Sequence, residues 1–377
     1  MRDTPKSELL GLSLQELTEI AVSQGEARYR GAQLFEAIYR QRVAGLADIL
    51  TLPQAFRQQL LSHGFEVGMP LVDQRFVSVD GTIRYLVRFA DGQTVETVWM
   101  PEGDGGDQGS SEAPPARSQR SVREESPKAT ICVSSQVGCA VNCRFCLTAQ
   151  LGLLRNLTAG EIVGQVLVVL SDHAVDLTRD RINLVFMGQG EPFLNYENFM
   201  SAVRLLVEAA GIPQSRMTVS TSGILPRFAD FAREPVRPKL AISLNGTNNP
   251  ARTAVMPINR KWDIAGLMAA ARAFPLRNRE RLTFEYVLLS GENDSLENAR
   301  ELTQLLRGLR AKVNLIALNP GPGIPFATPP EERVLAFQQA LVQAGIPAFI
   351  RRPRGRDIFA ACGQLKRTAE LARPLQA

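Results

Sequence analysis

After residue 128, short runs of β-branched and other apolar residues alternate with stretches of helical periodicity, and this alternation restricts the fold more than any other feature of the chain. It predicts parallel strands joined by crossover helices, and therefore an α/β fold. The predicted strands are Ala129–Val133, Ile182–Met187, Met217–Thr221, Leu240–Leu244, Leu282–Leu289, Val313–Leu318 and Ala348–Ile350.

An open doubly wound sheet and a barrel give similar patterns. Six or seven such units without a GxGxxG opening favour a barrel, and we expect a partial (β/α)6-type barrel. Functional groups of such barrels lie at the carboxyl ends of the strands. The candidates that follow or end predicted strands are Cys139, Glu191, Ser222, Asn245 and Asn319.

Composition divides the chain further. Within residues 1–65, Ser13 and Glu16 form a capping-box pattern, which is typical of a helix start. Within residues 66–101, Asp-Gly dipeptides at 80–81 and 91–92 predict tight turns. Residues 102–128 have almost no large apolar side chain. The predicted units are a helical accessory domain (1–65), a small antiparallel β-meander (66–101), a disordered insertion (102–128), the barrel (129–352) and a C-terminal segment (353–377).

The formal charge of +5 and the pI near 9.1 permit an anionic partner without requiring one. The first residues carry no apolar stretch typical of a signal peptide, so we expect a cytoplasmic protein that does not associate with membranes. Two basic groups could contact RNA phosphates or simply be solvated. They are Arg28, Arg30, Arg40 and Arg42 near the N-terminus, and Arg351, Arg352, Arg354, Arg356, Lys366 and Arg367 near the C-terminus.

Three of the five cysteines, Cys139, Cys143 and Cys146, form a CxxxCxxC loop after a predicted strand. Three thiolates on one short loop are typical of a metal site. A structural zinc would need a fourth ligand from Cys132, Cys362, His63 or His173. A [4Fe–4S] cluster held by three cysteines would leave one iron open for another ligand, and we favour this interpretation.

CxxxCxxC is the signature of radical S-adenosylmethionine (SAM) enzymes, and the resemblance extends along most of the chain. The chain resembles the RlmN family of dual-specificity RNA adenine-C2 methyltransferases. The matching segments are VETVWMPE (95–102), CVSSQVGCAVNCRFC (132–146), MGQGEP (187–192), VSTSG (219–223), AISLN (241–245), PINRKW (257–262), NPGPG (319–323) and RGRDIFAACGQL (354–365).

The resemblance implies a radical SAM barrel whose cluster, held by Cys139, Cys143 and Cys146, binds SAM through its open iron. It assigns further SAM contacts to Gly190, Glu191, Ser222, Ser243, Leu244, Asn245 and Asn319. Two residues depart from the family pattern: Gln189 stands where methionine is common, and Asn245 where histidine is common. Both can still form hydrogen bonds.

The resemblance also implies a mechanism with two SAM molecules per turnover, in which one methylates Cys362 and the other provides a radical. The methyl group, converted to a carbon radical, adds to C2 of adenine and links the RNA to Cys362. Glu96 then removes the C2 proton, and Cys132 attacks Cys362 to release the RNA, leaving a disulfide. Glu96 shares a strand face with Val98 and Met100, so we expect it to be partly buried.

The implied substrates are an adenosine in the peptidyl-transferase region of 23S rRNA and the adenosine next to the anticodon in tRNA. The implied electron donor is a flavodoxin or ferredoxin, and we expect a monomer. One alternative is a Cfr-like enzyme that methylates adenine C8. Another, of a different class, is a zinc-stabilised RNA-binding protein without catalysis.

Overall fold

The structure is a computed structural model that describes residues 7–101 and 128–365. Its helices are α1 (Leu14–Ser23), α2 (Tyr29–Tyr39), α3 (Gln54–Ser62), α4 (Ala159–Asp172), α5 (Tyr196–Glu208), α6 (Pro226–Arg233), α7 (Asn249–Val255), α8 (Ile264–Ala273), α9 (Leu296–Leu306) and α10 (Glu331–Gln343). The predicted disordered insertion lies outside the described residues except for Lys128, which begins a strand.

Fourteen strands are present in the described residues. They are β1 (Ser7–Glu8), β2 (Phe65–Glu66), β3 (Leu71–Val77), β4 (Ile83–Arg88), β5 (Thr94–Pro101), β6 (Lys128–Cys132), β7 (Gln136–Gly138), β8 (Leu153–Asn156), β9 (Arg181–Phe186), β10 (Met217–Thr221), β11 (Lys239–Ser243), β12 (Leu282–Leu288), β13 (Ala311–Ala317) and β14 (Ala348–Ile350). All seven strands predicted after residue 128 form, within two residues of the expected ends.

Ten of these strands form one sheet in the order β14-β13-β12-β11-β10-β9-β6-β5-β4-β3. The seven strands from β14 to β6 are parallel to one another, and helices connect them along the chain. Strands β14 and β3 lie at opposite ends of this order and do not pair with each other, so the sheet is not closed and the barrel is partial. The predicted fold class is therefore confirmed.

The β-meander is continuous with the barrel sheet. Strand β5 pairs antiparallel with β6, and Val98 faces Cys132 in that pairing. The meander β3-β4-β5 therefore extends the barrel sheet. This pairing places the strand that carries Glu96 next to the strand that carries Cys132.

The parallel strands are rich in Val, Ile and Leu, and most of their side chains are buried, as expected when helices cover the outer face of a parallel sheet. Helix α4 illustrates how local sequence places a helix: Thr158 and Glu161 form a reciprocal capping box at its start. No helix in the described ranges is both long and apolar enough to cross a membrane.

The N-terminal helices dock on the outside of the barrel through close backbone contact. Gly11 has a φ of +103°, and a Cβ on Gly160 in α4 would lie 2.2 Å from the carbonyl oxygen of Leu10. Arg42 donates to the carbonyl of Val175 at 2.7 Å, and Arg40 donates to that of Ala209 at 3.3 Å. Both arginines, considered above for RNA contact, thus bind the barrel.

We predict that Gly160→Ala destabilises the protein by about 1–3 kcal/mol, because the new methyl group meets backbone atoms that cannot rotate away. The matched control is Gly266→Ala, also in the first turn of a helix, where the nearest atom, at 2.9 Å, ends the flexible Leu225 side chain. Chemical denaturation of both variants measures the difference. Equal stability of the two would contradict the proposed docking contact.

Candidate active site

A short antiparallel ribbon of β7 and β8 holds the cysteine loop. The amide N–H of Cys139 donates to the carbonyl of Gly152 at 2.9 Å. Gly138, with a φ of +81°, is required here because a Cβ would lie 1.8 Å from that same carbonyl oxygen. The amide of Cys146 donates to the carbonyl of Cys143 at 3.1 Å, which closes the turn between the last two thiols.

The three loop cysteines line one cavity at the carboxyl ends of the parallel strands, with a volume of about 160 Å³. Burial raises the pKa of the Cys139 thiol to about 12 and also raises that of Cys143, and the neighbouring thiols add to both shifts. Within the described ranges, no three His, Cys, Asp or Glu side chains are grouped so that they could hold a metal ion directly. The thiols instead border a shared space.

Six of the seven predicted SAM contacts also line this cavity: Gly190, Glu191, Ser222, Ser243, Asn245 and Asn319. Ser222 Oγ and Asn319 Oδ1 are buried and have no hydrogen-bond partner within the described residues. Buried polar atoms are nearly always paired in native proteins, since leaving one unpaired costs about 1–3 kcal/mol. These two atoms are therefore suited to bind a polar ligand in the cavity.

Glu191 joins two strand ends rather than facing the cavity freely. Its Oε2 accepts from the amide of Ser222 at 2.7 Å and its Oε1 from the amide of Phe193 at 3.0 Å. Its own amide donates to the side chain of Gln136 at 2.8 Å. Burial raises the pKa of this carboxyl, and the hydrogen bonds oppose the shift. Glu191 thereby holds Ser222 beside the cysteine loop.

Asn245, which stands where histidine is common in the family, has both ends of its amide occupied. Its Oδ1 accepts from the amide of Val287 at 2.7 Å, and its Nδ2 lies 3.1 Å from the sulfur of Met256. The residue has a positive φ of 54°, a conformation that asparagine tolerates better than most residues. Asn245 therefore ties the end of β11 to β12 at the cavity wall.

Leu244 is the predicted SAM contact that does not line the cavity. Its side chain lies in the main hydrophobic core, and its carbonyl accepts from Arg252 Nε at 3.0 Å. Arg252, which sequence reasoning missed, also donates to the carbonyl of Ser222 at 2.6 Å. This buried arginine thus connects two neighbouring strand ends, and burial lowers its pKa to about 10.

Glu285 and Ser220 line the cavity as well and were also missed. Ser220 Oγ donates to Glu285 Oε2 at 2.6 Å and lies 3.2 Å from Ser243 Oγ. Burial raises the pKa of Glu285. The sequence signal that could have identified Glu285 is its position as the single carboxylate within the apolar run of β12. Burying a carboxylate in a strand costs desolvation free energy, so such a residue usually has a specific role.

Cys362 also lines the cavity, whereas Cys132 lies in an apolar cluster with Val98, Ala360 and Leu365. Asn319 Nδ2 donates to the carbonyl of Cys362 at 3.3 Å. Cys362 is exposed at the mouth of the cavity. Partial desolvation raises the pKa of its thiol to about 11, the nearby Glu285 adds to the shift, and Arg351 opposes it. Burial, and then the nearby Cys362, raise the pKa of Cys132. All five cysteines are free.

Glu96 is completely buried, beyond the partial burial expected, and does not line the cavity. Its Oε1 pairs with Nη1 of Arg84, which is also buried. Its Oε2 lies 3.5 Å from Nε2 of Gln189, the other departure from the family pattern. Sequence reasoning missed Arg84, although the turn at 91–92 places it diagonally across from Glu96 on the same face of the hairpin.

The histidines required by the zinc alternative lie elsewhere. His63 in the N-terminal domain contacts the side chain of Gln24, and His173 stacks on Trp99 with ring centroids 3.8 Å apart. Neither lines the cavity with the three loop cysteines.

Comparisons with known proteins agree with this site. Residues 133–303 match the Radical SAM superfamily, and residues 7–65 match the ribosomal RNA large subunit methyltransferase N-terminal domain. The chain is 65% identical over 347 residues to a probable dual-specificity RNA methyltransferase RlmN from Koribacter versatilis, covering 91% of this chain and 97% of the relative. It is 42% identical to the RlmN of Paracoccus denitrificans, covering 98% and 92%.

A crystal structure of a radical SAM methyltransferase from Sphaerobacter thermophilus superposes with a TM-score of 0.86 at 42% sequence identity, covering 97% of this chain and all of that one. The partial barrel and its thiol-lined cavity are those of a radical SAM enzyme. Within that class, the chain belongs to the RlmN family of dual-specificity RNA methyltransferases. Membership implies a [4Fe–4S] cluster and SAM as cofactors, with two SAM molecules per turnover.

We predict that Arg84→Ala destabilises the protein by about 3–5 kcal/mol, because it removes one partner of a buried ion pair with Glu96. Arg75→Ala is the matched control in the same meander, since its partly exposed pair with Asp172 contributes about 1 kcal/mol or less. Urea denaturation followed by tryptophan fluorescence measures both. Adding Glu96→Gln to Arg84→Ala should restore part of the loss, and no restoration would contradict the pairing.

We also predict that Cys362 in the cofactor-free protein reacts slowly with iodoacetamide at neutral pH. Only the thiolate reacts, and the pKa is raised, so the rate should increase about tenfold per pH unit and level off near pH 11. Peptide mass spectrometry at residue 362 measures the rate, with Cys362→Ser giving the background. A plateau two pH units lower would show that burial does not raise this pKa.

Proposed function

We propose that the enzyme methylates C2 of an adenosine in the peptidyl-transferase region of 23S rRNA and of the adenosine 3′ of the anticodon in tRNA. The names of the relatives support a dual RNA specificity. The observation that carries the proposal is the position of Cys362, which lines the same cavity as Cys139, Cys143 and Cys146. A thiol there can carry a methyl group close to the site of radical formation.

In this proposal Cys139, Cys143 and Cys146 hold the cluster, which together with SAM supplies methyl transfer and carbon-radical chemistry. Ser222, Asn319, Ser243 and Asn245 position SAM with Gly190 and Glu191. The unpaired Ser222 Oγ and Asn319 Oδ1 support this assignment. We keep Leu244 only as a backbone neighbour of these residues, because its side chain lies in the core.

Cys362 carries the methyl group as S-methylcysteine and becomes covalently linked to the adenine. Such covalent catalysis suits adenine C2, which is too weak a nucleophile for direct methyl transfer. The Cys132 thiolate then attacks the sulfur of Cys362. The bond between this sulfur and the methylene carbon breaks, and the carbon takes up a proton to become the methyl group of the released RNA. The disulfide that forms between the two cysteines must be reduced by an external reductant. The nearby Cys362 raises the pKa of the Cys132 thiol, which supports the proximity of the two residues.

Glu96 accepts the C2 proton in this proposal. Its Oε1 pairs with Nη1 of Arg84, which fixes the orientation of the carboxyl group. Glu96 is fully buried and does not line the cavity. For Glu96 to reach the C2 proton, either the adenine must move deeper than Cys362 or the segment containing Ala360 and Leu365 must move aside. That segment packs against Val98 and Cys132, on the face of the sheet that carries Glu96.

The target adenine must leave its stack to reach Cys362, so the protein must also hold the RNA backbone. We assign this role to the N-terminal helical domain, which matches an rRNA methyltransferase domain, and to the basic segment that precedes Cys362. Exposed arginines in these regions include Arg28, Arg352 and Arg356. We further propose that the enzyme acts as a monomer and receives electrons from a flavodoxin or ferredoxin.

The decisive experiment is anaerobic reconstitution with iron and sulfide, followed by methylation of rRNA and tRNA substrates and mass spectrometry of the modified bases. The proposal expects 2-methyladenosine. If 8-methyladenosine were the sole product, the enzyme would be of the Cfr-like kind. A colourless protein that contains zinc but no iron or labile sulfide would overturn the catalytic proposal altogether.

We predict that Cys132→Ala and Glu96→Ala accumulate RNA attached to Cys362, because both residues act after the adduct forms. Glu96→Gln, which keeps the size of the side chain, separates loss of the base from loss of packing around Arg84. Denaturing gel electrophoresis detects the adduct, and Cys362→Ala should show none. Normal turnover in both the Cys132 and Glu96 variants would contradict the assigned roles.

A further inference from the structure

A second concave surface lies on the outer side of the cysteine loop. This groove, of about 520 Å³, is lined by Arg144, Pro257, Arg260 and four residues of α7. It shares no lining residue with the cavity that contains Cys362. We refer to it as the cluster-loop groove.

The cluster-loop groove is attached directly to the proposed iron ligands. Arg144 follows Cys143 and precedes Cys146 by two residues, so its Cα lies about 3.8 Å from that of Cys143 and at most about 7.6 Å from that of Cys146. Its amide donates to the carbonyl of Val255 at 3.0 Å, which fixes the loop against the end of α7. The groove therefore borders the same loop that carries the ligand thiols.

The groove is basic. Arg144 and Arg260 are exposed, and none of the lining residues is acidic. The Arg144 side chain is held by the carbonyl of Ala254 at 3.2 Å and by the ring of Phe326, so its charge is not neutralised by these contacts. Lys261 adds another exposed cation next in sequence, while Asp263 turns its carboxylate back to the amide of Gly266 to cap α8.

We propose that the cluster-loop groove is the docking site of an acidic one-electron donor protein. This inference rests on the proposed function, which requires reduction of the cluster. The donor is oxidised by one electron and the cluster is reduced by one, and no atom changes place. Electron transfer requires only that the redox centre of the donor come close to the thiol ligands, and a protein bound in this groove would be close to them. The target adenine, by contrast, must enter the other cavity to meet Cys362, so the geometry favours a donor protein over RNA.

The size and chemistry of the groove suit such a partner. Electron-transfer complexes are usually weak and bury less than about 1,200 Å² in total, so a groove lined by a few residues suffices. Opposite charges steer the encounter and make its rate depend on salt. The prolines and Ala254 along the groove supply rigid apolar contact between the two arginines.

The test compares two charge-reversed enzymes with a bacterial flavodoxin as the probe. The groove variant is Arg260→Glu with Lys261→Glu. The control is Arg281→Glu with Arg307→Glu, which makes the same change in charge at exposed positions near the amino ends of β12 and β13, at the opposite edge of the sheet. Flavodoxin binding to the holoenzyme is measured by calorimetry at low and high salt, and methylation is measured with flavodoxin and separately with dithionite.

The groove variant should bind flavodoxin about tenfold more weakly than the wild type at low salt, and the difference should shrink at high salt. Its flavodoxin-driven methylation at limiting flavodoxin should fall accordingly, while dithionite-driven methylation stays as in the control. Unchanged flavodoxin binding would overturn the proposal. So would an equal loss with dithionite together with weaker RNA binding in a gel-shift assay, since the groove would then hold RNA.

Failure of the proposed function gives a different result. A wild-type enzyme that methylates no RNA with either reductant contradicts the methyltransferase assignment, whereas the binding measurement still decides the docking site. Arg144→Gln is a second variant, and only its affinity for flavodoxin is measured, because Arg144 lies within the cysteine loop and its replacement could also affect activity. This variant removes a positive charge without adding a negative one, and it should also weaken flavodoxin binding.

Discussion

The parallel pairing of seven strands is the constraint on which the rest of the structure depends. Because the strands run in one direction, their carboxyl ends meet at one edge, and the loops that follow β6, β9, β10, β11 and β13 converge there. The cavity is lined by residues from all of these loops. Antiparallel pairing at β5 then adds the meander to the same sheet and brings Glu96 close to Cys132.

The carboxyl edge of the sheet contains many buried polar groups, and most of them are paired with one another. Glu191 accepts two backbone amides, Arg252 donates to two strand-end carbonyls, and Asn245 bridges two strands. These bonds hold the loops rigidly while leaving Ser222 Oγ and Asn319 Oδ1 free for a ligand. Catalysis by proximity and orientation requires such rigidity, because displacing a reacting group by about 1 Å can lower the reaction rate about a hundredfold.

The cysteine loop is accessible from two sides. The cavity on its inner side contains Cys362 and the proposed SAM contacts, and the groove on its outer side carries Arg144 and Arg260. Separate surfaces would let an electron donor and an RNA substrate approach the same cluster without competing for space. The N-terminal domain packs on α4 through Gly11 and Gly160, and none of its described residues lines the groove.

The sequence by itself determined the succession of strands and helices along the chain, the barrel and the family. It also identified the cysteine loop from Cys139 to Cys146. Periodicity and contiguous motifs are local properties, so the sequence alone shows them. It also predicted that Glu191, Ser222, Asn245 and Asn319 meet at one edge. Only the tertiary structure decided what each side chain contacts. The Arg84–Glu96 pair, the contacts of Arg252 with Ser222 and Leu244, and the core position of Leu244 depend on strand register and on packing between different elements. A linear pattern carries little information about such contacts, because they arise only when the strands pair.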